Sequence, residues 1–201
     1  MKKILFVLTL ILVAIATTAV YHLTQQADIF YYKGHDLFVK GKYQAATPLL
    51  LKSLSYDPKR KKTLTELGYS YLWAGNYQEA IKVFQESISL EPGNSRIKKS
   101  LASAYSWSKE YDKAEAIFQE VLRKDKNDRD AQKELAEIYM WDNKFDQSRA
   151  ILTALLQNHP GDVRAKFLYG KVLLYSGQTK EARQIFQELL RHSKTAAKED
   201  A

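Results

Sequence analysis

The chain has 201 residues, 45% apolar and 27% charged, with a formal net charge of +8. This balance suits water-facing helices that each bury one side. There is no cysteine, which excludes a disulfide framework, a thiolate metal site and a lipoprotein cysteine.

The first element is apolar. Met1-Lys2-Lys3 precedes a stretch from Ile4 to Val20 broken only by Thr9, Thr17 and Thr18. Two lysines, an apolar core and then Ala14-Ile15-Ala16 form the pattern of a signal peptide with an A-x-A cleavage site; a second cut could follow Ala19. The alternative is a retained anchor, at the short end of what crosses a bilayer. Under either reading the lysines stay in the cytoplasm and the rest of the chain lies outside it. Residues 1–19 are therefore read as a signal peptide or N-terminal membrane anchor, and 20–26 as a linker. The expected location is the periplasm or the periplasmic face of the inner membrane of a bacterium.

From residue 27 onward one pattern recurs every 34 residues. Leu67-Gly68, Tyr71, Gly75, Tyr77, Ala80, Phe84 and Pro92 define the unit. One period back stand Lys33-Gly34, Leu37, Gly41, Tyr43, Ala46, Leu50 and Pro58. The next three periods carry Leu101-Ala102, Leu135-Ala136 and Tyr169-Gly170 at the same place. Within the unit, Leu64, Leu67, Tyr71 and Leu72 have helical spacing. Gly75 ends that helix in a left-handed cap, and Tyr77, Ala80, Ile81, Phe84 and Ile88 mark a second helix stopped by Glu91-Pro92-Gly93. Gly68 and Ala80 let the two helices approach closely. Lys109 and Asn143 replace the turn glycine in the third and fourth units. Lysine is costly in a left-handed position, so the turn at Lys109 is expected to differ in shape.

These residues resemble the tetratricopeptide repeat, in which an aromatic, Leu-Gly, Tyr, Gly, aromatic, Ala, Phe, Ala and Pro recur with this period. The units are 27–60, 61–94, 95–128, 129–162 and 163–196, with 197–201 as a polar tail. The resemblance implies an all-α fold: a right-handed superhelical solenoid of antiparallel helix pairs with a concave face that holds partners.

The resemblance also singles out the thirteenth position of each unit, which tends to face that groove. Here it holds Val39, Trp73, Trp107, Trp141 and Tyr175, and these include every tryptophan in the chain. Such a row can stack on a peptide side chain or a sugar ring. The neighbouring groove positions include Tyr69, Lys99, Ser103, Lys133, Met140 and Lys171, so the groove is expected to be aromatic and basic together. The competing reading is that the tryptophans cover the turn and pack against the next repeat. Chaperone-binding members of the family use a clamp of Lys and Asn on the first helix. The corresponding pairs are Tyr31/His35, Thr65/Tyr69 and Lys99/Ser103, so that role is not carried over.

Two basic runs stand out, Lys59-Arg60-Lys61-Lys62 and Lys98-Lys99. They read either as solvated loop and helix starts or as attraction to an acidic partner such as anionic phospholipid, polysaccharide or protein. Nucleic acid is a poor candidate for an exported chain.

No catalytic or metal-binding motif appears among the dispersed His22, His35, His159 and His192. Asp125, Asn127, Asp128 and Asp130 lack the glycine and terminal Glu of a calcium loop, and read as an inter-repeat turn with Asp128 or Asp130 near a helix N-cap. No cofactor is expected, and no enzyme. After the fifth repeat the tail leaves no room for a capping helix, so the sequence raises self-association through that end.

The reading is a non-enzymatic envelope scaffold that holds a protein or peptide in the groove to assemble a larger complex. One alternative is an accessory module for an acidic glycan, because Leu72–Tyr77 and Ser106–Tyr111 are similar to short segments of exopolysaccharide-export proteins. Another is a membrane-anchored assembly factor for cytochrome or translocon complexes.

Overall fold

The computed structural model describes residues 2–199, apart from the side chains of Lys3 and of residues 192–199. Of the expected polar tail, residues 200–201 lie outside the described residues. The chain forms two compact units, residues 1–100 and 101–201.

The first unit is built from α1 (Lys2–Val39), α2 (Tyr43–Tyr56), α3 (Lys61–Trp73) and α4 (Tyr77–Leu90). The boundary between the units falls within α5 (Ser95–Trp107). The second contains α6 (Tyr111–Lys124), α7 (Arg129–Trp141), α8 (Phe145–Asn158), α9 (Val163–Tyr175) and α10 (Thr179–Glu199). Among the described residues all regular structure is helical.

Each helix pair closes on a small residue. A Cβ at Gly68 would lie 2.5 Å from Phe84 Cε1, one at Gly34 2.9 Å from Leu50 Cδ2, and one at Gly170 2.8 Å from Phe186 Cε1. Phe84, Phe118, Leu50 and Leu152 are fully buried, each contributing about 1.5–3 kcal/mol by leaving water. In the first unit Tyr31, Ala46, Leu50 and Leu67 form a continuous core. In the second, Ala136, Met140, Leu152, Leu155, Leu168 and Val172 do the same.

The five turns inside the helix pairs share one geometry. Gly41, Gly75, Lys109, Asn143 and Gly177 have φ of 70°, 81°, 65°, 59° and 87°. Each turn makes the paired hydrogen bonds of a Schellman cap. The Asn76 amide donates to the Tyr71 carbonyl at 2.8 Å and the Gly75 amide to Leu72 at 3.1 Å. Around Lys109, the Glu110 amide donates to Tyr105 at 2.8 Å and the Lys109 amide to Ser106 at 3.0 Å. The expectation of a different turn at Lys109 is therefore corrected. Two satisfied carbonyls together outweigh the ~1–2 kcal/mol that a left-handed conformation costs an L-residue. That cost remains stored in the fold. Lys109→Gly should raise stability by about 1 kcal/mol, read as a higher urea midpoint at unchanged slope.

Between repeats, side chains cap the incoming helices. Asp128 Oδ1 accepts from the Ala131 amide and Asp162 Oδ1 from the Ala165 amide, both at 2.9 Å, while Asn94 Oδ1 accepts from Ile97 at 3.2 Å. Asp125 accepts from the Asn127 amide at 3.0 Å. The acidic run is thus a turn and a cap.

Two boundaries differ from the sequence expectation. Residues 20–26, read as a linker, lie inside α1, which runs unbroken from the apolar stretch into the first repeat. No glycine or proline occurs in residues 1–33, so nothing interrupts the hydrogen-bond ladder. At the other end, α10 has 21 residues where α4, α6 and α8 have 14. Residues 197–199 of the polar tail continue α10, which ends at Glu199.

Among the described residues α1 is long and apolar enough to cross a membrane, with mean hydropathy 2.6 in its most apolar window and none of that window buried. Ile4, Leu5, Phe6, Leu12, Ile15 and Val20 are all more than half exposed. A stretch of this kind needs an apolar environment to cover it.

Candidate functional site

The thirteenth position is the last residue of each first helix, just before the left-handed turn. Its side chain therefore leaves the helix beside the turn. Exposure there is 63% for Val39, 53% for Trp73, 57% for Trp107, 46% for Trp141 and 52% for Tyr175. None of the five is a core residue, and each keeps about half or more of its surface in solvent.

In the second unit α7 and α9 lie side by side and bring two of these rings together. Trp141 and Tyr175 have centroids 6.0 Å apart at an interplanar angle of 45°. Lys171 Nζ stands 5.0 Å from the Trp141 centroid, within cation–π range. Glu137 Oε1 lies 3.5 Å from the same ammonium and Oε2 lies 3.8 Å from Arg164, which also pairs with Glu134. The result is an exposed aromatic pair beside a balanced row of charges.

The remaining candidates divide. Met140 is 2% exposed and belongs to the core with Leu152 and Val172. It is one residue from Trp141, and the helical rotation of about 100° per residue turns it inward. Lys133 is also buried. Its ammonium is 3.1 Å from Asp162 and 3.3 Å from Asp130. Met140 and Lys133 are therefore corrected from groove to interior. Tyr69 is half-buried, its hydroxyl 2.7 Å from Ser100 Oγ and its ring edge-on to Phe84 at 5.4 Å. Lys99 and Ser103 are half-buried on α5. With Lys133 and Lys171 both paired, the expected basic character is largely cancelled in the second unit.

Two polar clusters were not singled out by spacing. In the first unit Glu66 Oε1 accepts from the Tyr31 hydroxyl at 2.8 Å and meets His35 Nδ1 at 2.9 Å. The Arg60 guanidinium lies 5.0 Å from the Tyr31 centroid and pairs with Asp28. Burial, and then the bond to Glu66, push the Tyr31 phenol up to about 12. In the second unit Lys144 reaches Asp142 at 2.7 Å and Glu115 at 3.0 Å, and Glu115 also accepts from Tyr139 at 2.9 Å. The bonds to Asp142 and Glu115 hold the Lys144 ammonium well above the usual lysine range. Both clusters join residues from successive repeats, and Glu66 lies one residue past the expected groove position. Only the signal of a charged residue at a half-buried helical position could have marked them.

Among the described residues no group of three His, Asp or Glu side chains could hold a metal ion. The last repeat leaves Val163, Phe167 and Leu174 exposed.

Comparison with known proteins agrees with this architecture. The tetratricopeptide repeat profile matches residues 37–102, 72–138, 108–165 and 142–197 in overlapping windows. No curated protein sequence matches the chain. Among solved structures, a MamA protein superposes with TM-score 0.69 at 24% identity, covering 87% of this chain and 95% of its own. The repeats of a kinesin light chain-like protein of Podosopora anserina give 0.73 at 18%, covering 88% and 98%. YrrB, described as having an unusual peptide-binding site, gives 0.63 at 16%, covering 87% and 90%. At such identities the likeness concerns the fold, a solenoid of helix pairs. With the profile spanning most of the chain and every turn in the expected register, the protein belongs to the tetratricopeptide repeat family.

Proposed function

We propose that the protein is a non-enzymatic scaffold, held by α1 in the inner membrane with its repeats on the periplasmic side, and that it binds a polypeptide on the first-helix face of the second unit. The observation that carries this reading is the exposed pair of Trp141 and Tyr175 beside Lys171. Two large rings held on adjacent helices offer rigid contact area at little conformational cost, the property of interface anchors. The peptide-binding description of YrrB lends support by analogy of fold. A polypeptide suits the site better than an acidic glycan, because Glu137 and Glu134 offset the nearby Lys171 and Arg164. The proposal takes α1 as retained because it is long and apolar enough to cross a membrane. The same membrane placement suits an assembly factor for a larger complex.

The test is an affinity capture from solubilised envelopes with wild type and with a Trp141→Ala/Tyr175→Ala variant of matching helicity. Captured partners are then purified and titrated back by tryptophan fluorescence. Loss of two anchors at ~1–2 kcal/mol each should weaken a partner's binding by at least tenfold. Unchanged affinity for every captured protein would sink the proposal. Binding abolished by glycosidase treatment would favour the glycan alternative.

A further inference from the structure

The basic run between the first two repeats is placed by the fold at the membrane-facing end of α1. Residues 4–27 contain no Asp, Glu, Lys or Arg. As helix they span ~36 Å, more than the ~30 Å hydrocarbon core. With the core over residues 4–23, Asp28 stands about 7 Å beyond its edge, at headgroup depth. The structure ties the loop to this point. Arg60 pairs with Asp28, Ser53 Oγ donates to the Ala27 carbonyl at 2.8 Å, and Tyr56 stacks on Phe30 at 5.8 Å. The end of α2 and the start of α3 therefore pack where α1 leaves the bilayer.

Lys52, Lys59, Lys61 and Lys62 are exposed around that point. Asp57 is the one acid in residues 57–62. Glu91 pairs with Lys61 at 3.3 Å, a long contact between partly exposed groups that leaves the run net positive. The repeat register shows a further departure. The position that supplies the cap acceptors Asn94, Asp128 and Asp162 holds Arg60 here, and α3 has no side-chain cap. A cation has replaced an acceptor at the place closest to the headgroups.

We infer that Lys59, Lys61 and Lys62, with Lys52, dock on anionic phospholipid headgroups beside the anchor and hold the first two repeats against the membrane surface. The inference rests on the reading that α1 is retained in the bilayer. Each lysine near an anionic surface favours docking by roughly fivefold, and the attraction weakens as the screening length falls from ~10 Å at 0.1 M salt to ~3 Å at 1 M.

The full chain has no cysteine, so Ser55→Cys, exposed in the last turn of α2, gives a single labelling site. The labelled chain is reconstituted into vesicles of phosphatidylcholine, with or without phosphatidylglycerol, that carry a headgroup-attached nitroxide quencher. Quenching should be severalfold stronger with phosphatidylglycerol, should fall at about 1 M salt through screening, and should be lost in Lys59→Glu/Lys61→Glu/Lys62→Glu. Equal quenching in both lipids, or insensitivity to salt, overturns the inference without relying on any variant. Carbonate extraction reports the anchor separately. A chain that resists extraction but shows no lipid dependence keeps the anchor and loses the docking. A chain that is extracted yet still quenched only with phosphatidylglycerol keeps the docking and loses the anchor.

Discussion

Lys133→Ala should cost about 3 kcal/mol, among the largest losses available to a single charged side chain here. Lys133 and Asp162 side chains are each 10% exposed and meet at 3.1 Å. Removing the ammonium leaves the carboxylate buried, with the Ala165 amide as its remaining close donor. Lys133→Met with Asp162→Asn should recover most of the loss, because the amide oxygen can still cap α9 and the methionine fills the lysine stem's space.

The pH dependence separates this account from simple loss of packing. At Asp162 burial raises the carboxyl pKa, but the Ala165 amide and Lys133 lower it by more, leaving it below the ordinary 3.8. A depressed carboxyl contributes stability that is full above its unfolded value and fades as pH falls through the folded one. Without Lys133 its lowering effect is lost and the folded value moves up. The deficit of Lys133→Ala should therefore be widest near neutrality and shrink in acid. Urea midpoints measured from neutral to acid pH check this, and a pH-independent deficit would count against the ion pair.

Gly68→Val is the second large effect, at about 2–3 kcal/mol destabilising. A Cβ at this position lies 2.5 Å from Phe84 Cε1 and 2.8 Å from Cδ1, and valine adds two further carbons. The helices would have to separate, or the buried ring leave its rotamer. Phe84→Leu should rescue part of the loss, because the fourth repeat places Ala136 and Leu152 together in one core at the same register. A double-mutant cycle on urea unfolding should give a coupling of about 1 kcal/mol. Tolerance of the Gly68→Val substitution within experimental error would mean that the close approach is not needed.

The sequence alone carried the period, the helix pairs, every turn but the one at Lys109, and the aromatic thirteenth position, because each depends on residue type at fixed local spacing. Aromatics at the last residue before a turn remain exposed wherever the helix end meets solvent, so their place was legible from the repeat register. The tertiary structure decided what the other candidates became. Lys133 found Asp162 from the next repeat, Met140 turned inward one residue before Trp141, and Lys171 came to rest between Glu137 and an indole. Tyr31 and His35 met Glu66, and Arg60 met Asp28, which brought a basic loop to the end of an apolar helix. These contacts join residues about one repeat apart in the chain. Periodicity fixes which face a side chain is on, but the partner across that face, and so whether a charge is neutralised or left for a ligand, depends on packing between repeats.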